Sequence, residues 1–293
     1  MSSAIEVKHL CHQYGSRTIY RDLNFTVPTG TICGLLGKNG QGKTTLVNIL
    51  MGFLKPTSGR CLVLGEDSFH LPPLTRSRIG LLHEGHLAYE FLTIAQTERF
   101  FSGFYPGWER EIFFDLVNKM GLPNDHKICR MSCGQRSQVV LGVIMAQNPD
   151  LLILDDYSMG LDAGYRRLFL DVLKDFAALG DKTIFVTSHI VQDLEKLVDS
   201  MIFIDRGEIM QTELDSFMNS FHCYDFEDGS ELSLDRDEVI RGFEQRGEII
   251  SVYSFADKDT VQSHLDSMGV HPQKIREKKM SLEDAFIGLM GKY

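Results

Sequence analysis

GKNGQGKTT, residues 37–45, constrains this chain more than any other stretch. It satisfies G-x-x-x-x-G-K-[ST], follows the apolar run TICGLL and precedes the helical pattern TTLVNILMGFL. In that setting the glycines let backbone N–H groups turn inward and approach a phosphate closely. Gly37, Asn39, Gly40 and Gly42 make the turn, and Lys43 brings a point charge to terminal phosphates. The Thr44 hydroxyl is a candidate Mg²⁺ ligand, Thr45 joins the phosphate-binding set, and the helix N-terminus adds partial positive charge. The match commits this part of the chain to a strand, a tight turn and a helix in that order. A phosphate loop also serves kinases, GTPases and helicases, so other residues must choose among them.

The remaining pattern builds an α/β chain around that unit. IEVKHL, LNFTVP and TICGLLG read as strands, with turns at Tyr14-Gly15 and at 28–30. CLVLG (61–65) and RIGLLHE (78–84) read as further strands. From about 86 to 147 the pattern turns helical. There Thr93 and Gln96 fit a capping box, and EIFFDLVNKMG and QVVLGVIMAQN read as helices closed by Gly121 and Pro149. Strands return at LLILD (151–155), TIFVTS (183–188) and MIFIDRGEIM (201–210), separated by helices at about 163–179 and 190–198. This alternation predicts a largely parallel sheet covered on both faces. Beyond about 215, FHCYDFEDGSELSL holds turn signals, EIISVYSF reads as a strand and DTVQSHLDSMG as a helix. SLEDAFIGLMG closes the chain as a helix capped by Ser281 with Asp284. A linker near 211–221 would join a first domain, 1–215, to a small α/β appendage, 220–293.

Composition narrows the function classes. A formal net charge of −10 argues against a protein that coats nucleic acid. No apolar run reaches the ~18–20 residues of a membrane-spanning helix. The start, MSSAIEVKHL, lacks a basic stretch followed by an apolar block, so no secretory signal is expected. Six scattered cysteines with no CxxC pair read as reduced thiols of a cytoplasmic protein.

LLILDD, residues 151–156, is a buried strand running into two adjacent carboxylates. MSCGQR (131–136) stands before a helix, GLD follows at 160–162 and TSH at 187–189. With Tyr14, the phosphate loop and RIGLLHE, this ordered set resembles the ATP-binding subunits of ABC transporters. The resemblance implies a P-loop NTPase core with an N-terminal antiparallel β subdomain and a helical insertion. It implies that Tyr14 stacks on adenine and that Asp155 is the Mg²⁺-side carboxylate. Two such domains would pair head to tail, so that Ser132, Gly134 and Gln135 of one meet the γ-phosphate of ATP bound to the other. His189 would contact that phosphate and orient the attacking water. The implied partners are ATP, a second copy or a related ATPase subunit, and an integral membrane permease at the cytoplasmic face of the cell membrane; nucleic acid is not among them. The tail SLEDAFIGLMG resembles the branch that exports drugs, lipids and envelope polysaccharides, so export is expected.

Departures from the family pattern set a second reading beside the first. Asp156 stands where the family has glutamate as general base, about 1.5 Å shorter in reach. A misplacement of ~1 Å costs on the order of 10²-fold in rate, yet a bridging water can restore proton transfer. A slow but competent ATPase is expected. Glu84 replaces the usual glutamine and can still ligate Mg²⁺ through oxygen; His83 is the alternative contact if the register slips by one. Cys133 stands at a usual glycine and Tyr157 at a usual proline. These substitutions motivate the alternative of an ATP-gated regulatory switch with little or no hydrolysis. A P-loop kinase would leave the signature and His189 unexplained. The aromatic run FFSGFYPGWE (100–109) is either core packing or a docking surface for the permease.

Overall fold

The computed structural model describes residues 2–85, 88–228 and 234–291. Residues 86–87, where the helical region was expected to begin, and 229–233, inside the turn-rich stretch, lie outside them. The chain opens with a long antiparallel hairpin, β1 (Ser3–Tyr14) and β2 (Arg17–Pro28). Strand β3 (Ile32–Gly37) leads through the glycine loop into helix α1 (Lys43–Leu50). Strands β4 (Ser58–Val63) and β5 (Glu66–Asp67) join the hairpin in a four-stranded antiparallel sheet of order β2-β1-β4-β5.

Helix α2 (Pro73–Arg76) precedes strand β6 (Ile79–Leu82), which ends before His83. The helical insertion holds α3 (Ile94–Ser102), α4 (Arg110–Asn118) and α5 (Cys133–Ala146). The chain then alternates: β7 (Leu151–Leu154), α6 (Ala163–Ala177), β8 (Thr183–Thr187), α7 (Val191–Leu194), β9 (Ser200–Asp205) and β10 (Glu208–Glu213). These strands and β3 form a six-stranded sheet of order β10-β9-β3-β8-β7-β6, parallel from β9 through β6. A parallel sheet is covered on both faces, which is why LLIL and IFV are unbroken apolar runs. Helix α1 buries Leu46, Val47, Ile49 and Leu50 in one core with Ile5 and Val7 of the first sheet and Leu35, Ile153 and Phe185 of the second. The insertion has its own core, Phe113 and Val117 of α4 against Val139 and Val143 of α5.

MIFIDRGEIM is two strands, not one. The chain reverses at Arg206 and Gly207, both left-handed at φ 50° and 83°. The stretch read as a linker is folded: β10 runs to Glu213 and helix α8 (Leu214–Ser220) follows without a gap. The helix expected over 190–198 is a single turn, α7.

The chain divides into two compact units, residues 1–211 and residues 212–293. After α8 come β11 (His222–Glu227), β12 (Gly242–Arg246), β13 (Ile249–Ser254), α9 (Lys258–Ser267), β14 (Arg276–Lys278) and α10 (Leu282–Met290). The strands pair antiparallel in the order β12-β13-β11-β14. Phe226, Ile250, Val252, Val261 and Leu265 lie in this unit's own core. Ser281 and Asp284 make the reciprocal capping box of α10.

Candidate nucleotide site

The phosphate loop is tied from behind by its own surroundings. Gly37 ends β3 where a Cβ would be driven into Ile204 of β9, 2.8 Å from its carbonyl oxygen. Gly42 turns left-handed at φ 97°, and a Cβ there would lie 2.6 Å from Ile19 and 2.7 Å from the Tyr20 hydroxyl. Only glycine meets both demands. The Tyr20 hydroxyl donates to the Gly42 carbonyl, and Arg17 donates to the Gly40 carbonyl at 3.1 Å. Lys43 Nζ donates to the carbonyls of Gly37, 2.6 Å, and Lys38, 3.2 Å. Four loop carbonyls are therefore engaged by side chains. The N-terminus of α1 has no side-chain cap and no acidic residue in its first turn. Uncapped N–H groups and the helix dipole together favour an anion. Burial pushes the Lys43 pKa below the ordinary lysine value, while Asp155, Asp156 and Glu84 push it back up.

The two acids leave the end of β7 in different ways. Asp155 is buried; its Oδ1 accepts from the Thr187 hydroxyl at 3.0 Å, and its Oδ2 has no hydrogen-bond partner among the described residues. Asp156, also buried, takes a left-handed backbone conformation, φ 47°. Its N–H donates to Thr187 Oγ1 at 2.9 Å. Its Oδ1 accepts from the Ser158 hydroxyl at 3.1 Å and from the His189 N–H at 3.4 Å. Its Oδ2 lies 3.3 Å from His189 Nε2. The His189 ring stays half exposed, so it can meet both the acid and an incoming group. Tyr157 turns away into the core, where its hydroxyl donates to Asp193 at 3.2 Å.

One cavity of about 450 Å³ gathers most of the expected residues: Tyr14, Asn39, Gly40, Gly42, Lys43, Thr44, Thr45, Glu84, Asp155, Asp156 and His189. Tyr14 is half exposed at its rim, edge-on to His12 with ring centroids 4.8 Å apart. Between the two register choices, Glu84 lines the cavity while the His83 ring stacks on Phe53 at 5.8 Å. Arg17, Ile19 and Thr187 also line it and were passed over in the sequence. The signature residues do not line it. Ser132 and Gln135 form a reciprocal capping box on α5, and a Cβ at Gly134 would enter the Tyr165 ring of α6. Asp162 caps α6 by accepting from the N–H groups of Gly164 and Tyr165.

Among the described residues no three His, Cys, Asp or Glu side chains cluster as a metal site of their own. Mg²⁺ that arrives with phosphates needs only one or two protein oxygens. The partnerless Asp155 Oδ2 fits that demand, with the Thr44 hydroxyl and Glu84 on the same cavity.

The family model described as ABC transporter matches residues 20–158. The Nod factor export ATP-binding protein I of Rhizobium meliloti (strain 1021) is 30% identical over 99% of this chain and 88% of its own length. The chain belongs to the ABC transporter ATP-binding protein family. The bacitracin transport ATP-binding protein BcrA of Bacillus licheniformis is 28% identical over 99% of this chain and 98% of its own. A solved dimeric ATP-binding cassette in a post-hydrolysis state, bound to ADP and Pi, shares the fold at TM-score 0.63. It is 21% identical and covers 72% of this chain and 98% of that one. An ABC ATP-binding domain on the P-loop NTPase fold is thus the core of this protein. Among the described residues no helix is long and apolar enough to cross a membrane.

Proposed function

We propose that this ABC ATP-binding subunit hydrolyses ATP, slowly, to power export through separate integral membrane subunits, to which it docks at the cytoplasmic face. The observation that carries the reading is the placement of Lys43, Asp155, Asp156 and His189 around one cavity beneath an uncapped helix N-terminus. Lys43 and the loop N–H groups hold the terminal phosphates, and the exposed Tyr14 ring offers a face to adenine. Mg²⁺, when bound, neutralises charge on the transferred phosphoryl group. Thr44, Asp155 and Glu84 would hold it. Asp156 acts as general base, and His189 positions the water it deprotonates. The Asp156 carboxylate is tied to Ser158 and to His189, which gives the shorter acid a fixed aim.

The signature at the start of α5 contributes no residue to this cavity's lining, which supports completion of the site by a second subunit, a copy or a related chain. Its Ser132, Gly134 and Gln135 would close over the γ-phosphate. The export reading rests on relatives named for Nod factor export and bacitracin transport, and on the tail resemblance. The aromatic run divides. Trp108 and Phe101 pack on the insertion core, whereas Phe100 and Phe104 stay exposed and form a ring cluster with Tyr89 and Phe91. That cluster is the surface we assign to a helix of the permease. The regulatory-switch reading draws no support from these relatives.

Steady-state phosphate release with Mg²⁺ and ATP tests the proposal. Wild type turns over slowly, Asp156→Asn falls by about 10²-fold or more, and Asp156→Glu turns over faster than wild type. Equal rates for wild type and Asp156→Asn would remove Asp156 from the mechanism. Small-angle scattering with ATP and Asp156→Asn should show a dimer; a monomer at saturating nucleotide would sink the shared-site reading.

A further inference from the structure

Thr187 ends β8 with its side chain buried against both acids. Its Oγ1 lies 2.9 Å from the Asp156 N and 3.0 Å from Asp155 Oδ1. Chemistry fixes the direction of each contact. A backbone N–H only donates, so the hydroxyl oxygen accepts from Asp156. An ionised carboxylate only accepts, so the hydroxyl's single hydrogen goes to Asp155. One hydroxyl therefore bridges the left-handed turn at Asp156 and the carboxylate before it. Its bond occupies Oδ1 of Asp155 and leaves Oδ2, buried and partnerless, as the oxygen that can meet a cation.

We propose that Thr187 is a positioning residue for metal-loaded nucleotide. It selects which oxygen of Asp155 faces the cavity, and it holds the Asp156 backbone so that its carboxylate stays against His189. The same pattern is known in principle from metal sites, where a group hydrogen-bonded to a ligating carboxylate sets its orientation. The inference rests on the reading of Asp155 as the Mg²⁺-side acid. A packing role is the competing account, since the threonine methyl is buried as well.

The test separates these accounts. Affinity for a nonhydrolysable ATP analogue is measured by calorimetry with excess Mg²⁺ and again with EDTA, and the ratio is the Mg²⁺ enhancement. Thr187→Val keeps the shape and removes the hydroxyl. We expect the enhancement to fall about tenfold or more, with the EDTA affinity of the same sample showing that the loop is folded. Thr187→Ser keeps the hydroxyl and should recover most of the enhancement. In an Asp155→Asn background, Thr187→Val should cause no further loss. If Thr187→Val does not fold, Thr187→Ala against Thr187→Ser reads the same ratio. Equal losses with Mg²⁺ and with EDTA, a serine variant as impaired as the valine one, or an undiminished effect in Asp155→Asn each overturn the proposal. If Asp155→Asn alone leaves the enhancement intact, the assignment of Asp155 is wrong, and the proposal falls with it by a different and recognisable route.

Discussion

Asp156 pays for its aim in backbone strain. A non-glycine residue in the left-handed region costs about 1–2 kcal/mol, and here φ is 47°. Asparagine tolerates that region, and its side-chain oxygen can still accept from Ser158. Asp156→Asn should therefore keep the fold, with unfolding free energy within about 1 kcal/mol of wild type, while losing turnover. Chemical denaturation beside the rate assay checks this. A large stability loss would mean that the rate drop reports unfolding. His12 offers a second test at this scale. Both its ring nitrogens are buried without a partner among the described residues, and burial lowers its pKa below the ordinary histidine value. The folded ring takes up a proton less readily than the unfolded one, so the unfolded chain is protonated first as pH falls. The stability this histidine confers is complete above the unfolded pKa of about 6.5 and is lost as pH falls below it. His12→Phe should flatten the urea-midpoint profile between neutral pH and pH 5 or so. Parallel profiles for the two proteins would contradict the assignment of a buried ring that resists protonation.

At the scale of elements, the signature helix is set by contact as much as by capping. A Cβ at Gly134 would enter the Tyr165 ring, so α5 and α6 cross here at a distance only glycine permits. Gly134→Ala should destabilise the protein by about 1–3 kcal/mol, as overpacking does. Tyr165→Ala should reduce that penalty in the double variant, measured as a coupling in denaturant midpoints; additive effects would show that the two helices do not share this contact. The same scale explains what could be read from the sequence. The phosphate loop, the strand LLIL and the capping boxes at Thr93 and Ser281 are local patterns. Their glycines, apolar runs and hydroxyl–amide spacings state the backbone directly. The turn at Arg206-Gly207 was missed because a left-handed arginine leaves no mark in composition, and one glycine within an apolar run is weak punctuation. Thr187, Arg17 and Ile19 were missed for another reason. Their place at the cavity follows from strand neighbours: β8 beside β7 sets Thr187 against Asp155, and β2 lies under the glycine loop. Such adjacency belongs to the sheet order, which no short window contains. The choice between His83 and Glu84 likewise depended on where β6 stops.

The molecule as a whole carries separate cores, one joining α1 to both sheets of residues 1–211 and another inside 212–293. Every cavity residue named above belongs to the first unit. A ligand stabilises what it binds in proportion to RT ln(1 + [L]/Kd), about 2.7 kcal/mol at a hundredfold excess over Kd. For a unit of roughly 200 residues, 1 kcal/mol shifts the melting temperature by about 2–4 °C. Calorimetric unfolding of the full chain should therefore resolve into two transitions, and a nonhydrolysable nucleotide with Mg²⁺ should raise one of them by about 5–10 °C. The other should stay in place, because no described residue of the second unit lines the cavity. A single transition that moves as a whole would show that the two cores unfold together. In that case the C-terminal unit would be coupled to the nucleotide through the cooperativity of the chain, and truncating it would weaken ATP binding even though none of its described residues lines the site.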